Sequence, residues 1–240
     1  MKRHFLRYTL SGHVFIVPKD NLDRVVDALV DTNYSEEFCI ALDFDPAFVT
    51  NLMAAGFLVM STEFEGERDD PPHILLPKLH LLRSALFFPN LHIKKSIRHL
   101  LPRYELRVDT DFDAILDRCV EVHGDGWLTA PLQIVLKVLH RRKAPRVRPI
   151  SFGVYRNGER KAGEFGIIAG RVYTSYSGYY DEDSAGTVQL VLMTWYLQDA
   201  GFAFLDLGMP LDYKDCLGAE NIDPRRFVEL FRQGRNGTPI

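Results

Sequence analysis

A chain of 240 residues, 46% hydrophobic and 25% charged with a net charge of −3, carries enough apolar material for one large core or two modest ones. No apolar run approaches the roughly 20 residues that a membrane span needs, and the N-terminus lacks the apolar segment of a signal peptide. The expectation is a soluble, monomeric, cytoplasmic protein with no membrane and no DNA partner. Cys39, Cys119 and Cys216, an odd number without CxxC spacing, point to neither a disulfide framework nor a thiolate metal site.

Charge is uneven along the chain. Residues 1–90 hold 8 Lys and Arg against 13 Asp and Glu, residues 91–150 hold 12 against 7, and residues 151–240 hold 9 against 12. A basic middle on an acidic protein suits a polyanion, although the count alone equally describes solvated helix faces.

Residues 5–17 are β-favouring around a Ser11-Gly12 turn and read as one or two short strands. Residues 21–32 place Leu22, Val25, Val26 and Leu29 on one helical face behind a polar cap region. Residues 37–42 read as a strand. Asp45-Pro46 opens a second helix that Gly56 ends, and an extended run follows at 57–60. Residues 62–73 (TEFEGERDDPPH) are acidic and proline-containing, a linker or a mobile surface loop, and the expected boundary between a small α+β domain, 1–73, and a larger one, 74–240, falls there.

Residues 74–88 alternate apolar positions with Lys78, His80 and Arg83, as extended strands do. A helix over 94–101 brings Lys95, Arg98 and His99 to neighbouring positions at spacings of three and four. A strand over 104–108 precedes a helix over 112–122 with Phe112, Ile115, Leu116 and Cys119 inward. Pro131 begins another helix, with Leu132, Val135, Leu136 and Leu139 facing the core. Sheet then starts near Arg146, turns at 156–159, and continues as 165–169 and 171–175 about Gly170. Val188, Leu192, Trp195 and Tyr196 mark a helix from a cap at Asp183 or Ser184 to Asp199. Residues 202–207 (FAFLDL) form a short apolar strand holding one acid, Asp206, and residues 224–232 a closing helix. A carboxylate in such a strand is costly unless it is paired or used.

No GxxxxGK[ST] loop, HExxH or GxSxG motif occurs, and the scattered histidines carry no metal pattern, so no metal is expected. The order strand, strand, helix, strand over 161–219 is that of an acetyltransferase-like (GNAT) half-domain. The residues Gly163-Glu164-Phe165-Gly166, Tyr176-Ser177-Gly178-Tyr179, Leu205-Asp206-Leu207-Gly208 and Cys216-Leu217-Gly218-Ala219 fall in register with a GG-x-YG, GESM, DCQ and SLGA pattern. Upstream, residues 86–97 (LFFPNLHIKKSI) follow an LFP-x-LH-x-S-x-S pattern, and residues 126–140 a TWI to LH pattern. On these grounds the chain resembles the leucyl/phenylalanyl-tRNA protein transferases, which move an amino acid from aminoacyl-tRNA to the N-terminus of an acceptor protein.

The resemblance implies an α+β fold: a GNAT-like C-terminal domain whose mixed, mainly antiparallel sheet is flanked by helices, plus the small N-terminal α+β domain. It implies aminoacyl-tRNA and a protein N-terminus as partners, a role in N-degron tagging, and tRNA contact at Lys94, Lys95, Arg98 and His99. It also implies a catalytic Asp206 and a pocket for the aminoacyl side chain at Glu164, Tyr173, Tyr176, Ser177, Gly178, Leu190, Met193 and Leu205. No cofactor is expected, since the pyrophosphate loop that holds CoA in acetyltransferases is missing before the helix at 185–199.

Six positions depart from the pattern. Gly208 replaces its Gln, Tyr176 its Glu, and Met53 and Met60 its adenosine-holding Tyr and Trp. Glu164 and Gly178 replace two pocket methionines, which implies a donor other than Leu or Phe, larger or polar. The other reading is a chain that no longer catalyses and serves as a binding module for tRNA or a protein N-terminus.

Overall fold

The computed structural model describes residues 6–64 and 72–237. Asn21 caps α1 (Leu22–Asp31), its side chain accepting from the Arg24 N–H, and Asp45 caps α2 (Pro46–Ala54) through the N–H groups of Ala47 and Phe48. Next, β1 (Leu58–Glu63) and β2 (His73–Lys78) pair as an antiparallel hairpin. The domain boundary expected at residue 73 therefore falls inside a paired unit, and one apolar cluster runs from Val14 and Val26 through Leu52 and Phe165 to Phe231. Of the acidic stretch 62–73, residues 65–71 lie outside the described residues. The strands expected in 5–17 and 37–42 are isolated bridges, Tyr8 to Val14, Phe15 to Ile40 and Ala41 to Leu75.

Then come β3 (Arg83–Leu86), α3 (Lys95–Arg98), β4 (Glu105–Val108), α4 (Phe112–His123) and α5 (Ala130–Arg142). The helix expected over 94–101 shrinks to one turn, because Pro102 disfavours helical backbone at Leu101 and the chain tightens into a 3-10 turn at Leu101–Arg103. The meander β5 (Val147–Arg156), β6 (Glu159–Ala169) and β7 (Val172–Tyr180) forms where the alternation predicted it. Asn157 and Gly158 both adopt positive φ, as a two-residue hairpin turn between right-twisted strands requires. The chain ends with α6 (Ala185–Asp199), β8 (Phe204–Asp206), α7 (Asp212–Cys216), β9 (Glu220–Ile222) and α8 (Pro224–Arg235).

Seven strands form one sheet in the order β4-β5-β6-β7-β8-β3-β9, and every neighbouring pair is antiparallel except β7 with β8. The face that carries Phe165, Val172 and Phe204 packs under α4, α5 and α8 with the residues of the N-terminal segment. On the opposite face, Ile168, Tyr173 and Leu205 pack under α6. Trp195 and Tyr196, which the helical spacing grouped with Val188, turn outward, each 41% exposed, while Val188, Val191 and Leu197 go inward. Among the described residues no helix is long and apolar enough to cross a membrane.

Candidate active site

The parallel pairing of β7 with β8 runs from Val172 opposite Phe204 to Thr174 opposite Asp206, and there it stops. Since β7 continues to Tyr180, the two strands part beyond Thr174, and Ser175, Tyr176 and Ser177 are half-buried while Gly178 is exposed. On the other side of the opening lie Gly208 and the turn that leads to α7. Backbone polar groups freed where two strands separate must find another partner, which makes such a gap a natural seat for a ligand.

Asp206 stands at the root of this gap and is 0% exposed. Its carboxylate accepts from Arg83 Nε at 2.7 Å and Nη2 at 2.6 Å, from Thr174 Oγ1 at 2.8 Å, and from the Gly208 N–H at 3.0 Å. Burial alone raises the pKa of such an acid. The Arg83 charge and these four hydrogen bonds more than offset that, so Asp206 titrates below the usual carboxylate range and stays ionised. The resemblance implies a catalytic Asp206; in the structure Asp206 is a buried anion whose acceptor positions are filled from within the protein. Arg83 itself is 1% exposed, lies 4.3 Å from the centroid of the Phe227 ring, and leaves Nη1 without a partner among the described residues.

The second buried acid, Glu164, faces the other side of the sheet. Tyr173 Oη donates to its Oε1 at 2.9 Å and Gln189 Nε2 to its Oε2 at 3.2 Å. Burial dominates here and raises the Glu164 pKa. The structure brings Glu164, Tyr173, Gly178, Leu190, Met193 and Leu205 to this face, with Gln189 of α6 as an added polar member. A Cβ built on Gly178 would lie 3.3 Å from Glu164 Cβ and 3.6 Å from its Cγ, so a side chain there would pack against the stem of Glu164. Tyr176, expected among the pocket residues, points the opposite way because a β-bulge between Phe165 and Gly166 makes it the unpaired residue. Its hydroxyl accepts from the Val59 N–H at 2.9 Å. Ser177 faces α4, where its carbonyl accepts from Cys119 Sγ at 3.6 Å.

Two further groups beside Asp206 were not singled out from the sequence. Lys214 is buried and donates to the carbonyls of Leu207 at 2.5 Å and Met209 at 2.8 Å, and burial lowers its pKa against the pull of Asp206 and Glu164. His80 is 4% exposed, and both ring nitrogens lack a hydrogen-bond partner among the described residues. Burial, followed by the charges of Arg83 and Lys78, pushes its pKa down to about 3, so the ring is neutral. A Cβ on Gly208 would lie 3.9 Å from His80 Nε2. An apolar run that carries an arginine and a histidine, as residues 79–88 do, was the available signal.

Lys94, Lys95, Arg98 and His99 sit together and exposed at the one-turn α3. Met53 is a buried residue of α2, and Met60 lies in β1 opposite Leu76. The loop holding Leu217-Gly218-Ala219 is pinned to the segment before α3, where the His92 N–H donates to the Leu217 carbonyl at 2.9 Å. Among the described residues no group of three or more His, Cys, Asp or Glu is placed to hold a metal ion.

A family model described as leucyl/phenylalanyl-tRNA protein transferase matches residues 85–232, a span that includes both parted strands, α6 and the loop at 217–219. The leucyl/phenylalanyl-tRNA–protein transferase of Pseudomonas putida (strain W619) is 35% identical over 152 residues, covering 61% of this chain and 66% of that protein. The enzyme of the same name from Pseudomonas paraeruginosa (strain DSM 24068 / PA7) is 30% identical over 162 residues, covering 65% and 70%. The chain thus spans about two thirds of the length of these relatives. Among solved structures, FemX is similar over 92% of this chain and 80% of its own, with a TM-score of 0.47 at 12% identity. A GCN5-related N-acetyltransferase from Kribbella flavida is similar over 86% and 74%, with a TM-score of 0.37 at 14% identity.

Proposed function

The chain belongs to the leucyl/phenylalanyl-tRNA protein transferase family, and from that membership we propose that it transfers an amino acid from aminoacyl-tRNA to the α-amino group of an acceptor protein in the gap between β7 and β8. The observation that carries the proposal is the parting of these strands at Thr174 and Asp206 inside the family-matched stretch. Transfer breaks the ester between the amino acid and the RNA 3′ end and forms a peptide bond. The α-ammonium of the acceptor loses a proton, and the RNA hydroxyl leaves with one. Ester aminolysis is downhill, so the protein must chiefly align a neutral amine with the carbonyl and stabilise the oxyanion.

In this scheme Asp206 is a positioning residue. Its fixed negative charge orients Arg83 and holds the Gly208 N–H, and so sets the width of the gap at its closed end. The edge of β7 beyond Thr174, where pairing with β8 has ended, is the natural seat for the aminoacyl backbone. On the α6 face Glu164, whose pKa burial raises, offers a hydrogen bond to a donor side chain that displaces the Gln189 amide, which bonds it at 3.2 Å against 2.9 Å for Tyr173. A polar-ended donor suits that site, and Leu or Phe does not, because each leaves a buried polar group unpaired.

The test is transfer from individually charged tRNAs to a peptide with a free N-terminus, beside the same peptide acetylated. Labelling of the free peptide alone, by a donor other than Leu or Phe, is expected. Labelling by Leu or Phe alone overturns the altered preference. No labelling by any donor, with tRNA still bound, assigns the chain to the binding role instead.

A further inference from the structure

Between α3, the turn at Leu101–Arg103 and α6 runs an open groove of about 600 Å³ lined by Ile93, Arg98, Leu101, Pro102, Leu192 and Trp195. It lies apart from the gap between β7 and β8, and its residues play no role in the transfer step. An indole 41% exposed on the solvent side of a helix is a costly placement for the largest apolar side chain. Arg98 closes the groove from the other side. Its Nε donates to the Ile93 carbonyl at 3.1 Å, which fixes the plane of the guanidinium and leaves its terminal nitrogens free.

The surroundings are positively charged. Lys94, Lys95, Arg98 and Arg103 are all exposed, and among the described residues none pairs with a carboxylate, whereas the nearby Arg107 pairs with Glu105 and Arg156 with Glu182. A flat aromatic face, an apolar floor and a fixed guanidinium beside uncompensated cations are complementary to a nucleotide: a base to stack, and a phosphate to neutralise. A protein segment that used this groove would need acidic flanks to meet the same cations.

We propose that this groove is a subsite for one unpaired nucleotide of the RNA donor, its base stacked on Trp195 and its phosphate held by Arg98 with Lys95. The proposal rests on the transferase reading, since it takes the RNA from that reaction. It adds a contact that reads nucleic acid through an aromatic surface rather than through charge alone.

The experiment is anisotropy of fluorescently labelled tRNA at several salt concentrations, with wild type, Trp195→Ala, Trp195→Phe and Arg98→Ala. Trp195→Ala is expected to weaken binding roughly 10- to 100-fold with the salt slope unchanged, and Trp195→Phe to recover most of it. Arg98→Ala is expected to lower the log–log salt slope by about 1. Unaltered binding by Trp195→Ala overturns the subsite, and so does a loss that Phe fails to restore and that accompanies a lower Tm. Normal tRNA binding by Trp195→Ala with a raised KM for the acceptor peptide also overturns it, by giving the groove to the acceptor. If wild type transfers amino acid while Trp195→Ala binds tRNA normally, only the subsite falls. If wild type binds no tRNA, the transferase reading falls with it.

Discussion

Glu164 and Asp206 are held by consecutive residues of one strand: Tyr173 donates to Glu164 and Thr174 donates to Asp206. Side chains alternate along a strand, so the two buried acids project to opposite faces of the sheet. The one that gains an arginine is held ionised, and the one that meets only neutral donors is pushed toward its protonated form. The sheet thereby carries a fixed negative charge on one face and an acid of raised pKa on the other.

Breaking the Arg83–Asp206 pair leaves one charge buried without its partner. Asp206→Asn or Arg83→Met is therefore expected to cost about 3–5 kcal/mol in urea unfolding. The double variant Arg83→Met/Asp206→Leu is expected to lose less than the sum of the two single ones. Because the carboxylate also sets the Gly208 loop, Asp206→Asn should lower kcat by more than it raises KM for the acceptor, and Asp206→Glu should not rescue it.

Glu164 has a folded pKa above its unfolded one, so its contribution to stability is fully present at pH below the unfolded value and is lost as pH rises through the folded one. Glu164→Gln keeps a hydrogen-bonding amide without the titration. Relative to wild type, this variant is expected to gain stability as pH rises from 4 to 8, as read by denaturant midpoints. Glu164→Met removes the polar group and should shift donor preference toward Leu and Phe by about tenfold or more in kcat/KM.

For His80 the sign is reversed. An unfolded histidine takes up a proton near pH 6.5, and the folded ring does so only near 3. The stability it supports is present above about 6.5 and is lost as pH falls toward 3, with a slope of at most about 1.4 kcal/mol per pH unit. His80→Leu is expected to flatten that acid limb in thermal unfolding between pH 6 and pH 4. An unchanged limb would mean that the ring is protonated in the folded protein.

Gly218 has φ +95°, and a Cβ there would sit 1.9 Å from the Asn90 carbonyl oxygen. Gly218→Ala is expected to lower Tm by several degrees and to weaken tRNA binding together with it, because the same loop anchors the approach to the basic turn at α3.

Much of the frame was legible in the chain. Alternation in 165–175 and the Asn157-Gly158 turn gave the meander, and the spacing of Phe112, Ile115, Leu116 and Cys119 gave both the helix and its buried face. Capping residues fixed the starts of α1 and α2 to within a residue. What failed was tertiary. Trp195 continues the apolar spacing of Val188 but lies on the solvent side, because Gln189 and Thr194 take the inward positions. Gln189 is inside because Glu164 is there to bond it, and a pair 25 positions apart leaves no local pattern. Asp206 was found as an acid in an apolar strand, and its partner Arg83, 123 positions away, was not, since only the register of β3 against β8 brings them together. Tyr176 turns away from Glu164 at a bulge that has no signature in a run of Tyr and Ser.

The central claim is that a peptide bond forms at the gap between β7 and β8, and the mass of an acceptor peptide tests it most directly. After incubation with this protein and a fully charged tRNA pool, the peptide is expected to gain the mass of one amino-acid residue, which fragmentation locates at its N-terminus. An unchanged peptide, from a protein that is folded and binds that tRNA, contradicts the account.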